Sequence, residues 1–166
     1  METSVRYQFP ISPATYMNEV YLNAEFTRSM YLDGLMFEKA DIVSHETIGG
    51  RVHRSLQVRP KMNAPAIVKK VLGSTQEYRE AGELDESGLL WTYTVTPSTL
   101  ASKITIGGSL RVVATADGCE AQYAGSFKVK IFGAGGAIEK FMVGQFTDNL
   151  EKQSRFTRQW ITTHHS

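Results

Sequence analysis

Ile104-Thr-Ile-Gly-Gly-Ser-Leu-Arg-Val-Val-Ala-Thr-Ala-Asp-Gly-Cys-Glu-Ala-Gln-Tyr-Ala-Gly-Ser-Phe-Lys-Val-Lys-Ile131 reads as two long strands joined at Asp117-Gly118. Asp-Gly suits a tight hairpin turn because both residues tolerate positive φ. Pairing Ala116 with Cys119 sets Ala114, Val112, Leu110, Gly108, Ile106 and Ile104 opposite Ala121, Tyr123, Gly125, Phe127, Val129 and Ile131. All of these fall on one face, while Lys103, Arg111, Glu120, Gln122 and Lys128 fall on the other. Two strands thus agree on which face is dry, as a half-buried antiparallel sheet requires.

Working back toward the N-terminus, Asp85-Glu-Ser-Gly88 closes a second hairpin. Pairing Leu84 with Leu89 gives it an inner face of Tyr78, Glu80, Gly82 and Leu84 on one strand and Leu89, Trp91, Tyr93 and Val95 on the other. Gly49-Gly50 closes another, in which pairing Ile48 with Arg51 gathers Val43, Val52, Leu56 and Val58 on one face. His45 and Arg54 share that face and become cross-strand neighbours. Between these two hairpins, Asn63, Pro65, Ile67, Val68, Val71 and Leu72 predict a short amphipathic helix ending at Gly73.

Residues 3–9 alternate, with Val5, Tyr7 and Phe9 on one side, and predict a first strand. Ser12-Pro13 starts a helix that runs to about Leu22, because Ser accepts a free amide and Pro at the first position forfeits none. Asn23 caps a second short helix to about Leu32, with Phe26, Met30 and Tyr31 inward, and Asp33-Gly34 ends it. Ala134 to about Thr162 predicts one long helix, since Ile138, Phe141, Met142, Gln145 and Phe146, then Asn149, Leu150, Phe156 and Trp160, recur at three- and four-residue steps.

The element order is strand, two short helices, six hairpin strands with a helical insertion, then a long helix. An antiparallel sheet with one apolar face hides that face and the amphipathic helix together by curling around the helix. The expected fold is therefore α+β: a seven-stranded antiparallel helix-grip, formed by residues 1–166 as one domain.

Composition narrows the function classes. With 166 residues, 42% of them hydrophobic and 21% charged, the chain is a globular protein rather than a disordered one. A formal charge of +1 gives no case for wrapping nucleic acid. Cys119 is the only cysteine, which excludes an internal disulfide framework and a multi-cysteine zinc site. The opening residues lack the pattern of a signal peptide, and no apolar run is long enough to span a bilayer, so the expected location is the cytoplasm.

The opening Val5-Arg-Tyr-Gln-Phe-Pro-Ile-Ser-Pro-Ala-Thr-Tyr16, the three hairpins, the Asn63–Gly73 insertion and the closing helix through Gln159-Trp160 resemble the START-like superfamily. That superfamily is also called the polyketide cyclase/dehydrase and lipid-transport, or SRPBCC, superfamily. The chain is most similar to one of its bacterial branches of unknown function. The resemblance is architectural, and it implies an apolar cavity between sheet and long helix for lipids, sterols, polyketides or other hydrophobic ligands. It assigns no particular ligand or reaction.

Candidate ligand-binding residues follow from polar or aromatic side chains on the dry faces. Arg54, Glu80 and His45 have two readings: they hold and orient a ligand's polar end, or they form a structural ion pair near the sheet edge. Tyr78, Trp91, Tyr93, Tyr123 and Phe127 either line a cavity or fill the core. Met142 and Gln145 on the long helix carry the same two readings.

No catalytic or metal-binding residue is expected: Cys119 lies beside a turn without a neighbouring histidine, and His164-His165 lack a third ligand. Phe132-Gly-Ala-Gly-Gly136 lacks the lysine and hydroxyl residue of a phosphate loop and reads as a hinge. Arg51, Arg54, Lys61, Lys69 and Lys70 make a modest basic stretch with two readings: a solvated face, or transient contact with an anionic membrane surface or partner.

The expected function is binding of a hydrophobic or amphipathic small molecule without a cofactor. The alternatives are a cyclase- or hydratase-type enzyme using Glu80 or His45, and a protein-interaction module with a filled core.

Overall fold

A computed structural model describes residues 1–165. Seven strands, β1 (Glu2–Phe9), β2 (Lys39–Ile48), β3 (Arg51–Arg59), β4 (Tyr78–Leu84), β5 (Leu90–Pro97), β6 (Ile104–Thr115) and β7 (Gly118–Val129), form one antiparallel sheet. Their order is β1-β7-β6-β5-β4-β3-β2, so β1 closes back onto β7 and the three hairpins follow one another across the sheet. The long helix α4 (Gly135–His164) packs on the dry face, as the helix-grip order implies.

Two short helices follow β1, and each widens before it ends. In α1 (Pro13–Thr15), Ser12 Oγ accepts the amide of Thr15 at 3.2 Å. The chain then enters a π-helical turn, Tyr16–Tyr21, closed by the amide of Leu22 donating to the Met17 carbonyl at 3.0 Å. In α2 (Ala24–Ser29), Asn23 Oδ1 accepts the amide of Phe26 at 2.9 Å. A second π-helical turn, Met30–Gly34, is closed from Leu35 to Met30. The extra residue in each wide turn displaces the side chains that follow from ordinary helical spacing.

The faces of β4–β7 agree with the sequence reading, but the registers of their two hairpins do not. In β6–β7, Ala114 pairs with Cys119, Val112 with Ala121 and Leu110 with Tyr123, two residues from the pairing built on Ala116 and Cys119. In β4–β5, Leu84 pairs with Trp91 instead of Leu89. A two-residue slip returns every side chain to its original face, so face patterning is blind to it. The β2–β3 pairing starts at Ile48 and Arg51 as expected and places His45 opposite Arg54, but it shifts between Ile42 and Ser44. That bulge turns Val43 outward, where it is 51% exposed, and Ile42 packs on the core in its place.

The main core joins the strands to the first two helices: Trp91, Leu110 and Val112 meet Tyr16, Met17 and Phe26, all essentially inaccessible. A smaller cluster at the other end joins α3 (Ala66–Leu72) through Val68 and Leu72 to Ile104, Val129 and Ile138. Burying each such side chain contributes about 1.5–3 kcal/mol.

Glycines on the sheet make room for two of the aromatic rings. A Cβ on Gly82 would collide with the Trp91 indole, and one on Gly108 with the Tyr93 ring and the Ala124 carbonyl.

On α4 the buried positions include Gln153, Ser154 and Thr157, which the apolar periodicity did not predict. Their polar atoms are answered locally: Thr157 Oγ1 donates to the Gln153 carbonyl at 2.7 Å and Ser154 Oγ to that of Glu151 at 2.8 Å. Small hydroxyl residues therefore enter the interface without an unpaired polar group. No helix among the described residues is long and apolar enough to cross a membrane.

Candidate functional site

Between the middle of the sheet and α4 lies a pocket of about 230 Å3. The sheet supplies Tyr78 and Glu80 from β4, Tyr93 and Val95 from β5, Ile104 and Ile106 from β6, and Tyr123 and Phe127 from β7. The opposite wall is α4, through Phe141, Met142, Gln145, Phe146, Asn149 and Gln153. Tyr21, Tyr31, Leu35 and Phe37, from the π-helical turns and the chain after them, also line it. Pro60, Lys61, Met62 and Leu72 complete the lining, in which Lys61 and Gln145 are exposed to solvent.

Seven of the residues singled out in the sequence line this pocket: Glu80, Tyr78, Tyr93, Tyr123, Phe127, Met142 and Gln145. Arg54, Trp91 and His45 do not. Trp91 is wholly buried across Gly82, behind the wall. His45 is exposed near the outer end of β2, and its pKa is lowered by partial burial and by Arg54.

Arg54 is 4% exposed and lies beneath the first helices. Its Nη1 donates to the Tyr21 carbonyl at 3.1 Å and to Thr27 Oγ1 at 3.0 Å. Its guanidinium lies 5.3 Å from the centre of the Tyr21 ring and 5.4 Å from that of Trp91. Arg54 therefore ties the helices to the sheet and places a fixed positive charge behind the pocket wall.

Glu80 is the one acidic residue in the pocket lining. Burial raises its pKa, while Arg54 and a hydrogen bond from Tyr31 Oη at 3.5 Å pull the other way. The carboxyl thus holds its proton to higher pH than an exposed glutamate, the behaviour expected where desolvation outweighs a neighbouring charge.

Tyr21, Tyr31, Tyr78 and Tyr93 all lie within its field, and burial followed by the Glu80 charge raises the pKa of each. These phenols remain protonated donors at any ordinary pH. Farther along, Tyr123 Oη is hydrogen-bonded to Tyr16 Oη and accepts from Gln153 Nε2 at 3.4 Å. The site combines an apolar body with a few directed polar groups at one end, the usual constitution of a small-molecule pocket.

Sequence reasoning missed Tyr21, Tyr31, Gln76 and Gln153 as pocket residues. The two tyrosines sit on π-helical turns that helical periodicity does not reveal. Gln153 had a usable signal, because Gln145, Asn149 and Gln153 recur every four residues along one helix stripe.

Among the described residues no cluster of three or more His, Cys, Asp or Glu side chains is gathered for a metal. His164 stacks on Trp160 with ring centres 3.8 Å apart, while His165 faces Glu19 at 3.6 Å. Burial pushes the Cys119 thiol up to about 11, which makes it a poor nucleophile at neutral pH.

A family model described as "Protein of unknown function (DUF2505)" matches residues 2–161. The chain belongs to the DUF2505 family. Its fold is that of the START-like superfamily. A START superfamily protein from Mycobacterium smegmatis aligns at a TM-score of 0.65 and 13% identity, over 96% of this chain and 98% of that one. An aromatase/cyclase from a Streptomyces species aligns at 0.63 and 13%, over 96% and 90%. Norcoclaurine synthase from Thalictrum flavum aligns at 0.64 and 17%, over 99% and 87%. No curated protein matches the sequence. At these identities the likeness establishes the shared fold of this DUF2505 member, and its function is argued from the pocket itself.

Proposed function

We propose that this protein binds a hydrophobic or amphipathic small molecule in the pocket between the sheet and α4. The observation that carries the reading is a 230 Å3 space with mostly apolar walls and a single half-buried acid, Glu80, beside several tyrosines. An apolar hole of about 150 Å3 already takes up benzene, so a space of this size favours an occupant over an empty core.

Binding would draw on burial of the ligand's apolar body, at about 25 cal/mol per Å2. Orientation would come from Glu80, the surrounding phenols, and the amides of Gln145 and Gln153. Arg54 acts from behind the wall by holding Tyr21 and setting the charge balance of Glu80.

The test is titration with the apolar fluorophore anilinonaphthalenesulfonate, comparing the protein with Ile106→Trp, whose indole would occupy the pocket. Saturable fluorescence enhancement that the substitution abolishes supports the reading; equal enhancement in both proteins contradicts it.

A second reading is favoured by the raised pKa of Glu80. A carboxyl that holds its proton to higher pH than an exposed glutamate is suited to general acid chemistry on a bound substrate, as in a cyclase or hydratase. Conversion of a co-purified compound that stops in Glu80→Gln would support it, and release of that compound unchanged by both proteins would count against it.

A further inference from the structure

The end of the molecule around α3 differs in charge from the rest. Three segments meet there: residues 60–76, residues 97–105 and residues 127–138. Gln76 Nε2 donates to Thr99 Oγ1 at 2.9 Å, the amide of Lys130 donates to the Lys103 carbonyl at 2.8 Å, and Val68, Ile104, Val129 and Ile138 share one small core. Together these segments hold Lys61, Lys69, Lys70, Lys103, Lys128 and Lys130 and no acidic residue. The remainder of the chain has twelve basic against seventeen acidic residues, a net of −5, so the overall charge of +1 conceals a strongly polar molecule.

All six lysines are exposed, and among the described residues none is in an ion pair. The carboxylates nearest in sequence are already engaged: Glu77 by Lys39 and Arg59, and Glu139 by the amide of Val129.

Large apolar side chains stand out from the same end. Phe132, in the loop between β7 and α4, is fully exposed; Ile67 on α3 is 45% exposed and Leu100, in the β5–β6 turn, 38%. An aromatic ring held entirely in water two residues from Lys130 and four from Lys128 costs solubility and packs against nothing in the fold. Lysines around apolar tips match a bilayer interface, where the tips enter the acyl boundary and the ammonium groups remain among anionic headgroups. Lys61, Met62 and Leu72, from the same end, also line the pocket.

We propose that this lysine-ringed end, with Phe132 as its inserting side chain, docks on membrane surfaces containing anionic lipid. The docking rests on surface charge and exposure and holds whether or not the pocket is occupied. It also places the pocket's Lys61 end against the membrane.

The test is co-sedimentation with vesicles of phosphatidylcholine alone and of phosphatidylcholine with about 30% phosphatidylglycerol, at low and at raised salt. The intact protein is compared with Phe132→Ser and with Lys69→Glu/Lys70→Glu, each confirmed as folded by circular dichroism. The expected result is binding to the anionic vesicles only, weakened about tenfold by Phe132→Ser and further by salt or charge reversal. A protein that fails to sediment with anionic vesicles at low salt overturns the proposal. Binding indifferent to Phe132 also overturns it, and leaves a merely electrostatic surface of the kind that fits an acidic protein.

Discussion

Arg54 and Glu80 project from the same face of adjacent strands, Arg54 opposite Gly82 and Glu80 opposite Leu56, yet their hydrogen bonds go elsewhere and not to each other. Each has other partners: Arg54 the Tyr21 carbonyl and Thr27, Glu80 the hydroxyl of Tyr31. The positive charge thus belongs to the protein's interior and the carboxyl to the pocket, and they influence one another through the field between them.

Arg54→Met is therefore expected to act mainly on stability. It removes two hydrogen bonds that anchor the first helices, together with the positive charge that acts on the Glu80 carboxyl, at a cost of about 3 kcal/mol. Adding Glu80→Gln should recover part of that loss. Chemical denaturation of the three variants checks this, and a freely tolerated Arg54→Met would contradict the anchoring role.

Glu80 also predicts a pH dependence. Its folded pKa is raised, so the folded state holds the proton more tightly than the unfolded state. The associated stability is fully present below the unfolded pKa, about 4.3, and is lost as pH rises through the folded value. Glu80→Gln should therefore gain thermal stability relative to the parent between pH 4 and pH 8. A gap in Tm that is constant over that range would contradict the burial of this group.

Gly82→Ala and Gly108→Ala should each destabilise the protein by about 1–3 kcal/mol through overpacking. The first places a methyl in the Trp91 indole and the second in the Tyr93 ring and the Ala124 carbonyl. Tryptophan fluorescence of Gly82→Ala checks the displacement of Trp91 directly, and an unchanged spectrum with unchanged stability would contradict the close approach.

The faces of the second and third hairpins were legible because alternation has a period of two, and the long helix because its apolar stripe repeats over many turns. What escaped the sequence lay off those periods. The two-residue register slips at Ala114–Cys119 and Leu84–Trp91 change partners without changing faces. The bulge that ejects Val43 and the π-helical turns that aim Tyr21 and Tyr31 each insert a residue that periodicity does not encode. Arg54 was placed on the right face but at the wrong depth. That face is covered by the first helices around Arg54, Trp91, Leu110 and Val112 and left hollow farther along β4–β7, and which portion stays hollow is decided by tertiary packing.

A pocket of this kind should carry a small molecule when the protein is purified. Native mass spectrometry of freshly purified protein, followed by denaturation and organic extraction, tests it most directly, with Ile106→Trp and an unrelated protein prepared in parallel. A stoichiometric amphipathic compound is expected on the parent protein and on neither control. The same compound on Ile106→Trp at equal stoichiometry would contradict it.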